Sequence, residues 1–280
     1  MKIERIEVFR VELPLHEGSY NWSGGKSVEV FDSTVVRLTA DDGTTGHGEV
    51  CPLGPAYLAS YAEGARAGIR ELAPDILGCD PTRPAVLARR MDKLLKGHPY
   101  VKSALDIACW DIYGKATNQP VCNLLGGRLQ DQVKLFKVVS RAEPAAMVEK
   151  LISYQEQGFN QFQMKVGANP DVDIKRIQMV AGKLKSGNKL AADANCGWHQ
   201  HDAVRVVSAV SDMSLYIEQP CETYEECRVV RDHSPHPIIL DECMDSLQAV
   251  LRGYQERAMD LINLKISRMG GLTKSRIIRD

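Results

Sequence analysis

No apolar run in the chain approaches the roughly 18 residues that a membrane-spanning helix needs, which excludes a membrane partner. The first stretch, MKIERIEVFRVELPL, lacks a continuous apolar block. It alternates apolar and polar residues and reads as a first strand, not as a secretion signal. Neither sign of charge is in excess: 35 Lys and Arg stand against 36 Asp and Glu. That balance argues against a polyanion-binding surface, and so against nucleic acid as partner. The eight cysteines include no CxxC pair, and several sit inside apolar strand or helix patterns. A zinc site or disulfide framework is therefore not expected; free thiols in a reducing, cytoplasmic compartment are. No GxGxxG follows any apolar strand, which removes the dinucleotide-binding signature of an open Rossmann sheet. No internal repeat or low-complexity tract stands out.

What is present falls into two rhythms, as expected for one large or two medium domains. Residues 2–13, 30–40 and 45–50 alternate as strands, with the hairpin signal Asp41-Asp42-Gly43 between the last two. The polar loop GSYNWSGGKS, with Tyr20 and Trp22 at its tip, lies between the first two strands. Helical periods follow at 59–76, 82–95 and 100–117. After Gly126-Gly127, short apolar strands near 132–139, 161–166, 189–194, 214–218, 237–241 and 261–266 alternate with amphipathic helices at 143–157, 171–185, 201–212 and 222–232. Such alternation predicts a parallel sheet. The expected organisation is an α+β domain over 1–125 and a (β/α) barrel domain over 126–280. A closed barrel of this type has eight strands. Only six are legible, so the barrel is read as C-terminally incomplete.

An ionisable residue ends each of five successive strands: Lys165, Asp193, Glu218, Asp241 and Lys265, spaced 23 to 28 residues apart. The stretch LYIEQPC shows the cost, because Glu218 closes an apolar strand where a bare carboxylate is unfavourable. In (β/α) barrels, catalytic groups sit at these C-terminal strand ends. Neighbouring parallel strands lie about 4.8 Å apart, so Asp193, Glu218 and Asp241 are expected to converge. Together they would repel and take up protons unless a hard cation neutralised them. Oxygen-only ligation suits Mg²⁺, with Mn²⁺ as second choice. Any one of them alone is more commonly a helix cap or a partner of a lysine. Lys165 and Lys265 bracket the carboxylates; a lysine partly desolvated beside a metal loses pKa and serves as a base. A metal holding a substrate carboxylate, with a base removing the α-proton, describes proton abstraction through a metal-stabilised enediolate.

The stretches ALDIACWDIYGKATNQPVCNLLGG at 104–127, QMKVG at 163–167, DAN at 193–195, IEQP at 217–220, LDE at 240–242 and LKISRMGGLT at 264–273 resemble the enolase superfamily, in its mandelate racemase and muconate lactonizing enzyme branch. A Lys or His base working with Mg²⁺ is established chemistry there. The resemblance implies an N-terminal α+β capping domain and a modified (β/α)7β TIM-like barrel. It also implies metal-ligand roles for Asp193, Glu218 and Asp241 and acid/base roles for Lys165 and Lys265. Within the branch, YNWSGG at 20–25, GEVCPLGPAY at 48–57, YIEQPC at 216–221 and RMGGLTKSRIIRD at 268–280 are most similar to cis-3-hydroxy-L-proline dehydratases, then to proline-betaine epimerases. The implied partner is a small carboxylate, a proline derivative, and the implied assembly a homo-oligomer. Many relatives carry Lys-x-Lys on the second barrel strand; here the first position is Gln163, so no second positive charge helps depress the pKa of Lys165.

Tyr20, Trp22 and Tyr57 are the expected substrate-binding residues, an aromatic face suiting a ring ammonium. Trp22 reads equally as a loop anchor. Asn195, Gln163, Glu242 and Arg268 are expected just behind the ligands. Glu242, next to Asp241, is expected on the opposite strand face. His199 and His201 are read as solvated loop residues, His233 and His236 as turn residues, and Lys134 and Lys137 as surface or supporting groups. The expected activity is dehydration of cis-3-hydroxy-L-proline by a lyase. The alternatives are racemisation or epimerisation of proline betaine or another amino or imino acid, sugar-acid dehydration, and a truncated non-catalytic relative.

Overall fold

Alternation of period two builds the first sheet and period 3.6 covers it. In the computed structural model, which describes residues 1–16 and 18–280, the N-terminal strands are β1 (Ile3–Pro14), β2 (Tyr20–Asn21), β3 (Ser27–Val28), β4 (Val30–Ala40) and β5 (Thr45–Val50). Helices α1 (Ala62–Ile76), α2 (Pro84–Leu94), α3 (Pro99–Ala116) and α4 (Val121–Leu124) follow. The chain then divides into two compact units. One holds Met1–Gly18, Glu29–Asp131 and Leu264–Asp280; the other holds Ser19–Val28 and Gln132–Asn263.

In the first unit β1, β4 and β5 form an antiparallel sheet in that order. Val36 and Leu38 of β4 share a buried cluster with Ile69 and Leu72 of α1 and with Val101, Ala104, Leu105, Ala108 and Ile112 of α3. Helix α3 is buried on nearly every side, as a helix apolar all round must be. β5 approaches it so closely that a Cβ on Gly48 would collide with the Ala104 carbonyl. The unit also contains α10 (Ile266–Met269) and α11 (Leu272–Arg279). The turn between them is fastened by buried Asp106 of α3. Its carboxylate accepts from the Thr273 backbone N–H at 2.9 Å and the Thr273 hydroxyl at 2.5 Å. Burial pushes the Asp106 carboxyl up to about 6, against those hydrogen bonds.

In the second unit six parallel strands run in the order β11-β10-β9-β8-β7-β6: β6 (Lys137–Val139), β7 (Gln161–Lys165), β8 (Lys189–Asp193), β9 (Tyr216–Glu218), β10 (Ile238–Leu240) and β11 (Leu261–Ile262). Between them run α5 (Pro144–Glu156), α6 (Pro170–Ala181), α7 (Gln200–Ala209), α8 (Tyr224–His233) and α9 (Leu247–Gln255). Asn169 caps α6, Thr223 and Glu226 form a capping box on α8, and Ser246 caps α9. One set of alternate strand residues, Phe162, Met164, Leu190, Ala192, Ile217, Ile238 and Leu240, is buried in the helix-side core with Leu151, Ile177, Val206 and Val230. The other set, Gln163, Lys165, Asp193 and Glu218, must therefore take the opposite, inner face. This alternation is what places the polar residues of the site.

Three expectations are corrected. His201 lies inside α7 rather than in a loop, and its ring stacks on that of His199 at 6.0 Å. His233 is the last residue of α8 rather than a turn residue, whereas His236 lies in the bend before β10 as expected, almost completely buried, and burial pushes its imidazole pKa down. Lys137 is half-buried, with its ammonium 5.0 Å from the ring centroids of both Tyr154 and Phe159.

Gly271 has φ +113°, and a Cβ there would run into the Asp106 carboxylate. Gly271→Ala is therefore expected to cost about 1–3 kcal/mol. Gly43→Ala, at φ +83° with open space around it, should cost about 1 kcal/mol. Urea unfolding of both variants checks this; equal losses would show that the Asp106 contact does not constrain the turn.

Candidate active site

The second unit gathers its polar residues by strand register. Lys165 pairs with Asp193 across β7 and β8, and Asp193 with Glu218 across β8 and β9. Glu218 is opposite Ile239 of β10, which sets Asp241 two residues farther on, past the end of that strand. Lys165, Asp193, Glu218 and Asp241 are all 4 % exposed or less. The backbone after the strands that end in Asp193 and Glu218 is left-handed, with φ +42° at Asn195, +65° at Cys196 and +35° at Gln219. Non-glycine residues held there carry a conformational cost, and such costs cluster where side chains must be aimed. Gln219, which the sequence reading overlooked, shows the aiming: its Oε1 accepts the Asp241 N–H at 2.8 Å, and its Nε2 donates to the Cys221 carbonyl at 3.0 Å.

The Asp193 and Glu218 carboxylates are each engaged by protein donors. Lys165 Nζ donates to Asp193 Oδ2 at 2.5 Å, and the Asn195 N–H to Asp193 Oδ1 at 2.8 Å. Gln163 Nε2 donates to Glu218 Oε2 at 2.7 Å, and Asn263 Nδ2 to Glu218 Oε1 at 3.0 Å. Asn263 carried no signal of its own, because LINLK reads as one more apolar strand. Glu242 departs from the alternation expected of it. Since β10 ends at Leu240, Asp241 and Glu242 lie in a turn, and Glu242 Oε1 accepts from Asn195 Nδ2 at 2.9 Å.

The hairpin β2–β3 belongs to this unit although its flanking chain belongs to the other. Ser23 Oγ donates to the Asn195 carbonyl at 2.8 Å, and Arg141 Nε to the Trp22 carbonyl at 3.2 Å. Trp22 is buried and stacks on Tyr20 with ring centroids 5.3 Å apart. Lys165 Nζ lies 5.6 Å from the Tyr20 ring centroid. In the first unit, Lys265 caps α10, its Nζ donates to Tyr57 Oη at 3.2 Å, and Arg268 is buried.

Burial pushes Asp193 up to about 6, with the Glu218 charge adding to it and Lys165 opposing. Burial also raises Glu218, against the Gln163 hydrogen bond and with the Asp241 charge adding. Burial alone would lower the Lys165 pKa, but the Asp193 charge, together with Tyr20, holds it above its ordinary value. The two carboxylate shifts share a cause: burial, with a neighbouring carboxylate charge adding to it. Among the described residues no three His, Cys, Asp or Glu side chains are gathered tightly enough to hold a metal ion. Asp193 is turned toward Lys165, and Glu218 toward Gln163 and Asn263. The donor set nevertheless fits a hard divalent cation, being oxygen-only and buried.

The sign of the pH dependence follows. A carboxylate raised above its unfolded value binds protons on folding, so the stability penalty of Asp193 is absent below pH about 4 and complete above about 6. Lys165→Met, measured in chelator, should lose about 3–5 kcal/mol at pH 8, the cost of removing one partner of a buried pair. Much of the loss should return by pH 5. A loss independent of pH in thermal unfolding would contradict the coupling.

Two family descriptions match: "Mandelate racemase / muconate lactonizing enzyme, N-terminal domain" over residues 10–126, and "Enolase C-terminal domain-like" over residues 146–280. The chain is 52% identical over 280 residues to a cis-3-hydroxy-L-proline dehydratase of Roseibium aggregatum, covering 100% of this chain and 76% of the relative. It is 29% identical to an N-succinyl-L-Arg/Lys racemase of Bacillus cereus, covering 97% and 74%. The crystal structure of an enolase-superfamily member from Roseovarius nubinhibens ISM complexed with magnesium superposes with a TM-score of 0.94 at 38% identity, covering 100% of this chain and 75% of that one. The N-terminal α+β part and the parallel α/β part after it, each recognised by its own description, make this chain a member of the enolase superfamily, in its mandelate racemase and muconate lactonizing enzyme branch.

Proposed function

We propose that the chain abstracts the α-proton of a small carboxylate substrate in a Mg²⁺-dependent reaction, and that this substrate is cis-3-hydroxy-L-proline, which it dehydrates. The observation that carries the substrate is the 52% identity to a cis-3-hydroxy-L-proline dehydratase along the whole chain. Magnesium is supported by the oxygen-only donor set and by the relative complexed with that ion. Mg²⁺ held by Asp193, Glu218 and Asp241 would bind the substrate carboxylate, offset the charge that builds there as the Cα–H bond breaks, and draw off the Asp193 charge that keeps Lys165 protonated.

The remaining roles fall to side chains. Lys165, aimed by Asp193 and lying beside the Tyr20 ring, takes the proton from Cα. The electron pair left at Cα forms the Cα–C3 double bond as the C3–O bond breaks, and the departing hydroxide needs a proton to leave as water. Lys265, at the close of the sixth strand segment, is the proposed second acid/base. The product is a pyrroline carboxylate. Tyr20, backed by Trp22, presents an aromatic face suited to the ring nitrogen in its ammonium form. Tyr57, bonded to Lys265, is the other proposed substrate-binding residue. In the domain division proposed here, residues 1–125 form the cap and 126–280 the barrel domain.

A racemase or epimerase is the second reading. A lysine pair that returns the proton from the opposite face would invert Cα, and the Bacillus cereus relative is a racemase.

The test is proton NMR in D2O of the chain with Mg²⁺ and cis-3-hydroxy-L-proline, with proline betaine in parallel. Loss of the hydroxyproline signals with appearance of a pyrroline product is expected, and chelator should abolish it reversibly. Lys165→Ala and Lys265→Ala should each lower the rate by about 10²–10⁴-fold with the fold retained. Deuterium entering Cα of the betaine, with hydroxyproline untouched, would select the epimerase. Normal turnover in both lysine variants would overturn the assignment of the bases.

A further inference from the structure

Glu218 sits on β9, near the middle of the six-strand order. The two amides that hold it come from symmetrical places: Gln163 on β7, two strands to one side, and Asn263 directly after β11, two strands to the other. Both amides reach the Glu218 carboxylate across the inner face, at 2.7 Å and 3.0 Å. All three residues line one cavity of about 310 Å³ on that inner face, together with Tyr216, Ile239 and Ile262.

The bonding is divided evenly. One amide NH2 takes each Glu218 oxygen. A carboxylate oxygen offers two acceptor sites, so each retains one directed elsewhere. Glu218 is thereby fixed in rotation without being used up. The clamp is also neutral on both sides. A cation at position 163 would bring positive charge within hydrogen-bond distance of a carboxylate that has to face a divalent cation, whereas the glutamine supplies the bond without the charge.

We infer that Gln163 and Asn263 are positioning residues that preorganise Glu218 as a ligand for a divalent cation, and that the neutrality of Gln163 raises the cation affinity of the site. This rests on the metal reading given under Proposed function, and goes beyond it by assigning a role to the position where this chain departs from Lys-x-Lys.

The test is calorimetric titration of Mg²⁺, and separately of Ca²⁺, into the full chain and its variants. Gln163→Leu and Asn263→Ala should weaken Mg²⁺ binding by about 10- to 100-fold. Ca²⁺, which tolerates irregular coordination better than Mg²⁺, should lose less, so selectivity for Mg²⁺ falls. Gln163→Lys keeps a donor but adds charge, and should also weaken Mg²⁺ binding, by about tenfold or more. It carries the test if Gln163→Leu fails to fold. Mg²⁺ affinities within twofold of the parent in all three variants would overturn the inference while leaving the metal reading intact. Equal losses for both ions would overturn it too, indicating general damage to the site. A parent chain that binds no Mg²⁺ would overturn the metal reading and the inference together.

Discussion

Everything at the site depends on an electrostatic imbalance that the sheet imposes. Alternation along β7, β8 and β9 sends one set of side chains into an apolar core and the other to the inner face. At the strand ends the inner set is Lys165, Asp193 and Glu218, in adjacent register, with Asp241 just beyond β10. Burial makes each charge expensive, and the Glu218 charge adds to the cost at Asp193 as the Asp241 charge does at Glu218. The pKa of Asp193 moves up because the negative charges are too close and too dry; that of Lys165 stays up because it is their nearest relief. On the proposed reading, a divalent cation would relieve the imbalance and free the lysine in the same event, coupling metal binding to the availability of a base.

Around that imbalance the chain invests in orientation. Left-handed residues follow the strands that end in Asp193 and Glu218, and Gln219 holds the turn that carries Asp241. The hairpin β2–β3, tied down through Ser23 and Arg141, brings Tyr20 to Lys165. These groups are mostly neutral donors and acceptors. They fix directions without altering the charge balance that the chemistry uses.

Much of this was legible in the sequence because it follows from short periods. The alternating strands, the helix spacing and the ionisable residue closing each βα unit all appear within windows of a few residues. What was not legible depends on where a strand stops or on distant partners. Glu242 was assigned the opposite face by alternation, but β10 ends at Leu240, so no strand face exists there to be opposite. Asn263 looked like part of an apolar run, and its partner is 45 residues away. Trp22 was balanced between anchor and substrate cover; its burial behind Tyr20 is a matter of packing. The register that sets Asp241 two residues past the partner of Glu218 is likewise invisible to spacing, since loops of unequal length absorb it.

The claim on which the rest stands is that Asp193, Glu218 and Asp241 ligate one divalent cation. A crystal structure of the chain grown with Mg²⁺ tests it most directly, with a parallel Mn²⁺ soak to identify the ion by its anomalous signal. The account predicts a single octahedral site with one oxygen of each carboxylate at about 2.0–2.1 Å from Mg²⁺, and Lys165 no longer bonded to Asp193 Oδ2. An ion bound elsewhere, or these carboxylates still engaged only by Lys165, Gln163 and Asn263 at saturating Mg²⁺, would contradict it.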